Sequence, residues 1–309
     1  MSLNDTLIEA DKVLNKLTIS TEKEIIKAYA ESLKNIRGQL ADIYAKFSDN
    51  DGKLSFAEMS KYNRLKVLEE QIQEQLIDLT GKNAKALKTS LNEIFTESYF
   101  RTAFAIESFT QVNLKYGLLN PKVIESSIQN PISGLTLNDR LEKNRLDIII
   151  NIKQQITQGL IQGESYPQMA KRIKDTLEGD AKKARKVVNT EAHRVQNDGR
   201  YQSGKYASEK GINMVKVWDA SLSLNTRDAH RKLDGTKVDI YENFVSPTGA
   251  EGLIPGSMGK AEDDVNCRCA LRYEIVGYEP SVRRARDKDG KGIIIPHKSY
   301  EEWYESKGF

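Results

Sequence analysis

Along residues 4–47 the apolar positions Leu7, Ile8, Val13, Leu14, Leu17, Ile25, Ile26, Tyr29, Leu33, Ile36, Leu40, Ile43 and Tyr44 recur mostly three and four apart. That spacing stacks side chains on one face of a helix. The pattern falters at residues 18–21, so it predicts a short helix and then a longer one that Ser20 or Thr21 caps. Ser48-Asp49-Asn50-Asp51-Gly52 breaks the period as a turn. A second run over 56–79 carries Met59, Leu65, Leu68, Ile72, Leu76 and Leu79 on one side, and Gly81-Lys82-Asn83 should end it. A third, over 84–116, carries Leu87, Leu91, Ile94, Phe95, Ala103 and Ile106 before Gly117 stops it. The N-terminal third is therefore expected to be long helices packed on one another.

Pro121, Pro131 and Gly134 mark residues 119–135 as a linker. Beyond it, a helix over 136–162 is closed by Gly163, and Ser165-Tyr166-Pro167 opens another over 168–177. Asp180 is placed to cap a further helix running towards Tyr206. After Gly211 the period changes to two, and residues 214–218, 237–240 and 268–276 read as strands. The fold class expected is α+β, with long helices in the N-terminal two thirds and a small mixed α/β module at the C-terminus. The division expected is 1–118 for partner contact, the linker, 136–210, an α+β module over 211–280, and a tail over 281–309. In that tail residues 293–309 read as a strand and a helix that cap the module or touch a partner.

Composition narrows the class. At 39% hydrophobic the 309-residue chain can bury a core, and 29% charged residues with only 7 prolines favour helix. No apolar run approaches the roughly 20 residues of a membrane span, and the start MSLNDTLIEADK has no apolar signal region. A soluble protein made in a cytoplasm, with no membrane partner, is the expectation. Two cysteines argue against a disulfide framework. In an extended strand Cys267 and Cys269 would lie about 6.6 Å apart at Cα, a poor disulfide geometry. The net charge of +3 points to nucleic acid only if the basic residues cluster.

They do cluster: Lys171, Arg172, Lys174, Lys182, Lys183, Arg185 and Lys186, then Arg194 and Arg200, form the most basic stretch. A helical face of this kind suits a phosphate backbone contacted without sequence preference. The plainer alternative is a solvated face offset by Asp175, Glu178, Asp180 and Glu191. Residues 47–58 resemble an EF-hand loop, but Phe47 stands at the first ligand position and a helix-turn-helix connection is the simpler reading. Thr190, Glu191, His193, Arg194 and Asn197 lie on a helix, where a buried role anchoring it to the following sheet is expected.

The densest chemistry lies between Trp218 and Cys269. A short helix capped by Asn225 or Thr226 would run through Leu233, turned by Asp234-Gly235, and would present either Asp228 or His230 to the sheet. Cys267 and Cys269 alternate with Arg268, so their thiols share a face. A histidine and two thiolates converging on one point would bind zinc, with Asp228, Asp219 or a water as fourth ligand. The alternative is that two small cysteines pack beneath the loop 241–266. A nuclease or processing enzyme using His230, Asp228, Glu191 and Arg227 is the competing function. Phosphate-binding, dinucleotide and nucleophile-elbow motifs have no match in the sequence.

As a set these residues resemble the minor head proteins of tailed bacteriophages, the Mu F-like family. The likeness rests on Gly163-Glu-Ser165-Tyr-Pro-Gln-Met-Ala-Lys-Arg-Ile173 and on Asn189-Thr190-Glu191 with Arg194 and Asn197. It continues through Trp218-Asp219, Arg227-x-x-His230-x-x-Leu233-Asp234-Gly235, Phe244-x-x-Pro247, Pro255-Gly256 and Asn266-Cys267-Arg268-Cys269, over about residues 136–276. The resemblance implies a structural, non-enzymatic protein of the virion interior, carried in few copies and placed through the portal during assembly in the host cytoplasm. It implies portal protein, scaffold or capsid proteins and double-stranded DNA as partners, and ejection with the DNA. Glu191, Trp218, Asp219, Arg227, Asp234, Gly235 and Asn266 then form the motif core. Some relatives carry a toxin domain after this module, and the thirty-odd residues past Val276 are too few for one.

Overall fold

The 3.6-residue period of the N-terminal segment is carried further than the sequence reading expected. The computed structural model, which describes residues 3–276, 282–286 and 291–296, folds it as one helix, α1 (Leu3–Phe47). Residues 18–21 do not interrupt it; Thr18 stays within the helix, its hydroxyl donating back to the Leu14 carbonyl. The turn at 48–52 is real: the Asp49 carboxylate accepts the amides of Asp51 and Lys53, and Ser55 caps α2 (Phe56–Ser60). A 3-10 turn at Lys61–Asn63, with Tyr62 and Asn63 at positive φ, leads into α3 (Arg64–Thr110). Gly81 does not end α3; an interior glycine costs about 1 kcal/mol relative to alanine, which a 47-residue helix with one buried stripe absorbs.

The segment expected as a linker contains α4 (Pro121–Gln129), since Asn120 accepts the Lys122 amide and Pro121 sits at the first turn. Next come α5 (Leu137–Ile161) and α6 (Tyr166–Glu209). At the start of α6 the Gln168 side chain accepts the Ser165 amide, one half of a capping box. The two helices expected there are one, because Asp180 lies buried inside α6 beside Lys183 and does not act as a cap.

Contacts divide the chain into two units, residues 20–88 with 137–186, and residues 1–19, 89–136 and 187–309. The first is helical. Its buried residues include Ile36, Leu40, Leu68, Ile72, Ile152, Ile156 and Met169, and Gly159 sits where an added Cβ would lie 2.5 Å from the Met169 methyl carbon.

The second unit holds the sheet: β1 (Met214–Asp219), α7 (Asp228–Leu233), β2 (Lys237–Val238), β3 (Phe244–Val245), β4 (Glu251–Gly252), α8 (Ala261–Asp264) and β5 (Ala270–Ile275). β1 is central, antiparallel to both β2 and β5, with Trp218 opposite Leu271 and Lys216 opposite Tyr273. β3 pairs with β4 separately. Leu7, Ile106, Trp218, Leu233, Phe244, Leu271 and Tyr273 belong to one core under the sheet. β6 (Val282–Arg286) and β7 (Gly292–Pro296) form an antiparallel hairpin, so the strand expected at 293–296 is present. The helix expected over 297–309 lies outside the described residues. No described helix is long and apolar enough to cross a membrane.

Candidate functional site

α6 supplies a polar ridge on which the sheet module is hung. Glu191, Arg194 and Arg200 are fully buried, a state such groups tolerate only when every charge is matched. Arg194 lies 2.6 Å from the Glu191 carboxylate and donates to the carbonyls of Ser127 and Ile128 in the last turn of α4, the first of which also accepts the Asn130 amide. The Asn197 amide donates to the carbonyls of Pro255 and Cys269 and accepts the Leu271 amide, tying α6 to the start of β5. Arg200 donates to the Leu271 carbonyl and to Asp11 of α1.

Asp11 is the hub. Its two oxygens accept from Arg200 at 2.7 Å, Gln196 at 2.7 Å and Arg272 at 2.6 Å, and Arg272 also donates to Asp219 at 3.0 Å. Burial pushes the Asp11 carboxyl up, but the guanidiniums of Arg272 and Arg200 outweigh it and hold the group well below the usual carboxylate range. Nothing in the local sequence around Asp11 marks it; its partners lie 185 to 261 residues away.

Above this frame, three groups meet. α7 turns His230 inward and leaves Asp228 80% exposed, where it pairs with Arg231. Nδ1 of His230 lies 3.3 Å from the Cys269 sulfur and 3.8 Å from that of Cys267, and all three ligand atoms fall within 4.8 Å of one another. Both cysteines are free thiols in the segment leading into β5, which begins at Ala270, two residues later than expected. The Trp218 and His230 rings meet nearly at right angles, their centroids 5.6 Å apart. On the other side Nε2 of His230 stands 3.5 Å from Asp263, whose carboxylate accepts the hydroxyls of Ser246 and Thr248. Burial raises the Cys269 thiol pKa well above its usual value, and Cys267 beside it adds to the rise. For His230 burial lowers the pKa, but contact with Cys269 reverses this and the net shift is upward.

The remaining motif residues build the walls. Arg227 donates to the carbonyls of Asp263 and Val265, and Asp234 accepts the Ala220 amide. Gly235 holds φ +73° and donates to the Trp218 carbonyl. Asn266, itself left-handed at φ 56°, donates its amide to Thr190. Asp264 accepts the amides of Met258 and Gly259, and Lys216 is buried with its ammonium on the carbonyls of Glu242 and Leu253.

A family model described as Phage Mu protein F like protein matches residues 150–272, the span of this frame. Minor head protein GP7 of Bacillus phage SPP1 is 40% identical over 299 residues, 97% of this chain and 96% of its own length. The chain belongs to the phage minor head protein family. An Enterococcus faecalis protein named NAD(+)--arginine ADP-ribosyltransferase EFV is 30% identical over 93% of this chain, which spans 57% of that protein. The uncharacterized protein YqbB of Bacillus subtilis is 23% identical over 88% of this chain and 94% of itself. No solved structure matches.

Several expected sites of this minor head protein are rearranged by the fold. Arg194 and Arg200 are not available to phosphate, because both are sealed in the ion pairs described above. Arg172 is held by Glu164, Gln155 and Gln162, and Arg185 pairs with Glu22. Lys174 and Lys183 pair with Glu178 and Asp180 from exposed positions on α6, which Lys171, Lys182 and Lys186 share. Asp219 and Asp228 do not reach the His230 cluster, since one is bound to Arg272 and the other faces solvent. In the calcium-like loop Glu58 pairs with Lys61 and Arg64, and the Asp49 carboxylate accepts the amides of Asp51 and Lys53. Asp263 was missed, although Asp263-Asp264 ahead of Asn266-Cys267-Arg268-Cys269 is a signal that could have drawn it in.

Proposed function

We propose that this minor head protein is an internal structural component of the virion, placed in few copies through the portal during assembly in the host cytoplasm. It contacts portal protein, scaffold or capsid proteins, lies against the packaged double-stranded DNA and leaves with it. The observation that carries this reading is the near full-length likeness to a phage minor head protein, 40% identical over 97% of the chain. Supporting it, the motif residues are spent on internal bonds: Glu191 on Arg194, Arg227 on carbonyls of the 263–265 turn, Asp219 on Arg272.

The same bonds weigh against the nuclease reading. A nuclease needs an activated water beside a phosphate clamp open to substrate. Here His230, Cys267 and Cys269 are each about 3% exposed, Asp228 points away, and Arg227 and Glu191 already have partners. The transferase name of the Enterococcus relative attaches to a protein of which this chain spans 57%.

For DNA, the exposed lysines of α6 are Lys171, Lys174, Lys182, Lys183 and Lys186, of which Lys174 and Lys183 also pair with Glu178 and Asp180. Their contact is electrostatic, so affinity should fall linearly in log–log plots against salt, and each lysine removed from a true phosphate contact should lower the slope by about 1. The test is co-expression with the portal protein of the same phage, followed by DNA binding of wild type beside Lys171→Glu/Lys182→Glu/Lys186→Glu. Co-purification with portal and a shallower salt slope in the triple variant support the proposal. Free separation from portal, or cleavage of plasmid DNA by the purified protein, overturns it.

A further inference from the structure

We infer that His230, Cys267 and Cys269 bind one zinc ion that locks the loop 241–266 onto the sheet, a role resting on its own geometry and not on the portal and DNA reading. Zinc takes imidazole nitrogen at about 2.1 Å and thiolate sulfur at about 2.3 Å, so two such ligands at the tetrahedral angle stand about 3.6 Å apart. The two observed nitrogen-to-sulfur distances, 3.3 and 3.8 Å, bracket that figure before any ion is added. Ordinary packing of two cysteines against a ring does not demand that both sulfurs converge on the same nitrogen.

The surroundings supply what a metal-bound histidine needs. If Nδ1 is the ligand, the imidazole proton must sit on Nε2 and requires an acceptor; Asp263 stands on that side at 3.5 Å. Asp263 is itself fixed by Ser246 at 2.9 Å and Thr248 at 2.6 Å, side chains flanking the β3–β4 turn, so the ion would connect α7, the 246–248 turn and the start of β5. On binding, both thiol protons leave to solvent and the two thiolates and the neutral imidazole donate to the metal, with a water at the fourth position. Each ligand residue is buried, which fits a structural ion.

The test uses the full chain, expressed with zinc in the medium. Elemental analysis should give about one zinc per chain, both thiols should resist alkylation until a chelator strips the ion, and stripping should lower the melting temperature. Exchange with cobalt should produce thiolate-to-cobalt charge-transfer absorption, weakened in Cys269→Ser. Asp263→Asn should keep the folded spectrum yet bind zinc roughly 10–100-fold more weakly. Because wild-type stoichiometry and cobalt absorption need no variant to fold, they decide the matter alone. Absence of both zinc and cobalt binding, with the thiols free or joined as a disulfide, would overturn the inference.

Discussion

Replacing Asp11 by alanine should be among the most damaging single changes in the chain, although in sequence Asp11 lies far from every motif. The carboxylate accepts three hydrogen bonds of 2.6 to 2.7 Å, from Gln196, Arg200 and Arg272. Arg272 would keep Asp219, but Arg200, fully buried, would keep only the Leu271 carbonyl. Removing one partner of a buried pair costs about 3–5 kcal/mol, because the other charge stays desolvated. For a unit of this size each kcal/mol is worth roughly 2–4 °C, so the melting temperature should fall by roughly 6–20 °C. Circular dichroism melts at neutral pH measure this directly. The sign with pH follows from the depressed native pKa of Asp11: its contribution is complete above the unfolded value near about 4 and is lost as pH falls further. The deficit of Asp11→Ala should thus be constant from about pH 5 to 7 and shrink only in acid. A loss below about 1 kcal/mol at neutral pH would refute the hub role given to Asp11.

Three other outcomes follow from the same packing. Gly204→Ala would set a Cβ 2.2 Å from the Tyr273 ring, whose hydroxyl is fixed on the Arg200 carbonyl, and should cost about 1–3 kcal/mol in urea melts. In a double-mutant cycle, Glu191→Gln and Arg194→Met should be strongly non-additive, with a coupling of about 1–3 kcal/mol by denaturant unfolding, since each single change strands a buried charge. Burial pulls the Lys216 ammonium down to about 8, so the unfolded chain binds more protons between that pH and about 10.5, and stability rises with pH across this window. Wild type should therefore gain on Lys216→Met by roughly 2 kcal/mol between about pH 7.5 and pH 9.5, measured by chemical denaturation at each pH.

The periodic signal was sufficient to show the long helices and the α+β class, because a buried stripe every 3.6 residues is written locally in Leu7, Leu14, Ile36 and Leu40. It was weakest at punctuation. Gly81 and Asp180 look like a stop and a start, yet burial along α3 and α6 carries both helices through, tertiary packing overriding a preference worth about 1 kcal/mol. The His230 and Cys267/Cys269 convergence was legible because the two cysteines alternate and the histidine sits on a short helix nearby. Its carboxylate partner was only half legible: the acidic pair ahead of the cysteines marks the place, but no spacing rule tells that the chain brings Asp263 to 3.5 Å from His230. The arginines misled most: Arg194 and Arg200 extend a basic run in sequence, but their helical phase turns them inward, where acids 3 and 189 residues away neutralise them. Charge counts do not report such depth.

The most direct measurement of the central claim is quantitative mass spectrometry of virions of the phage that encodes the chain, with and without external protease before disruption. An internal minor head protein should be present in a few copies per particle, protected from protease while the head is closed and released with the DNA when ejection is triggered. Absence from purified virions, or digestion in intact particles, would contradict that role.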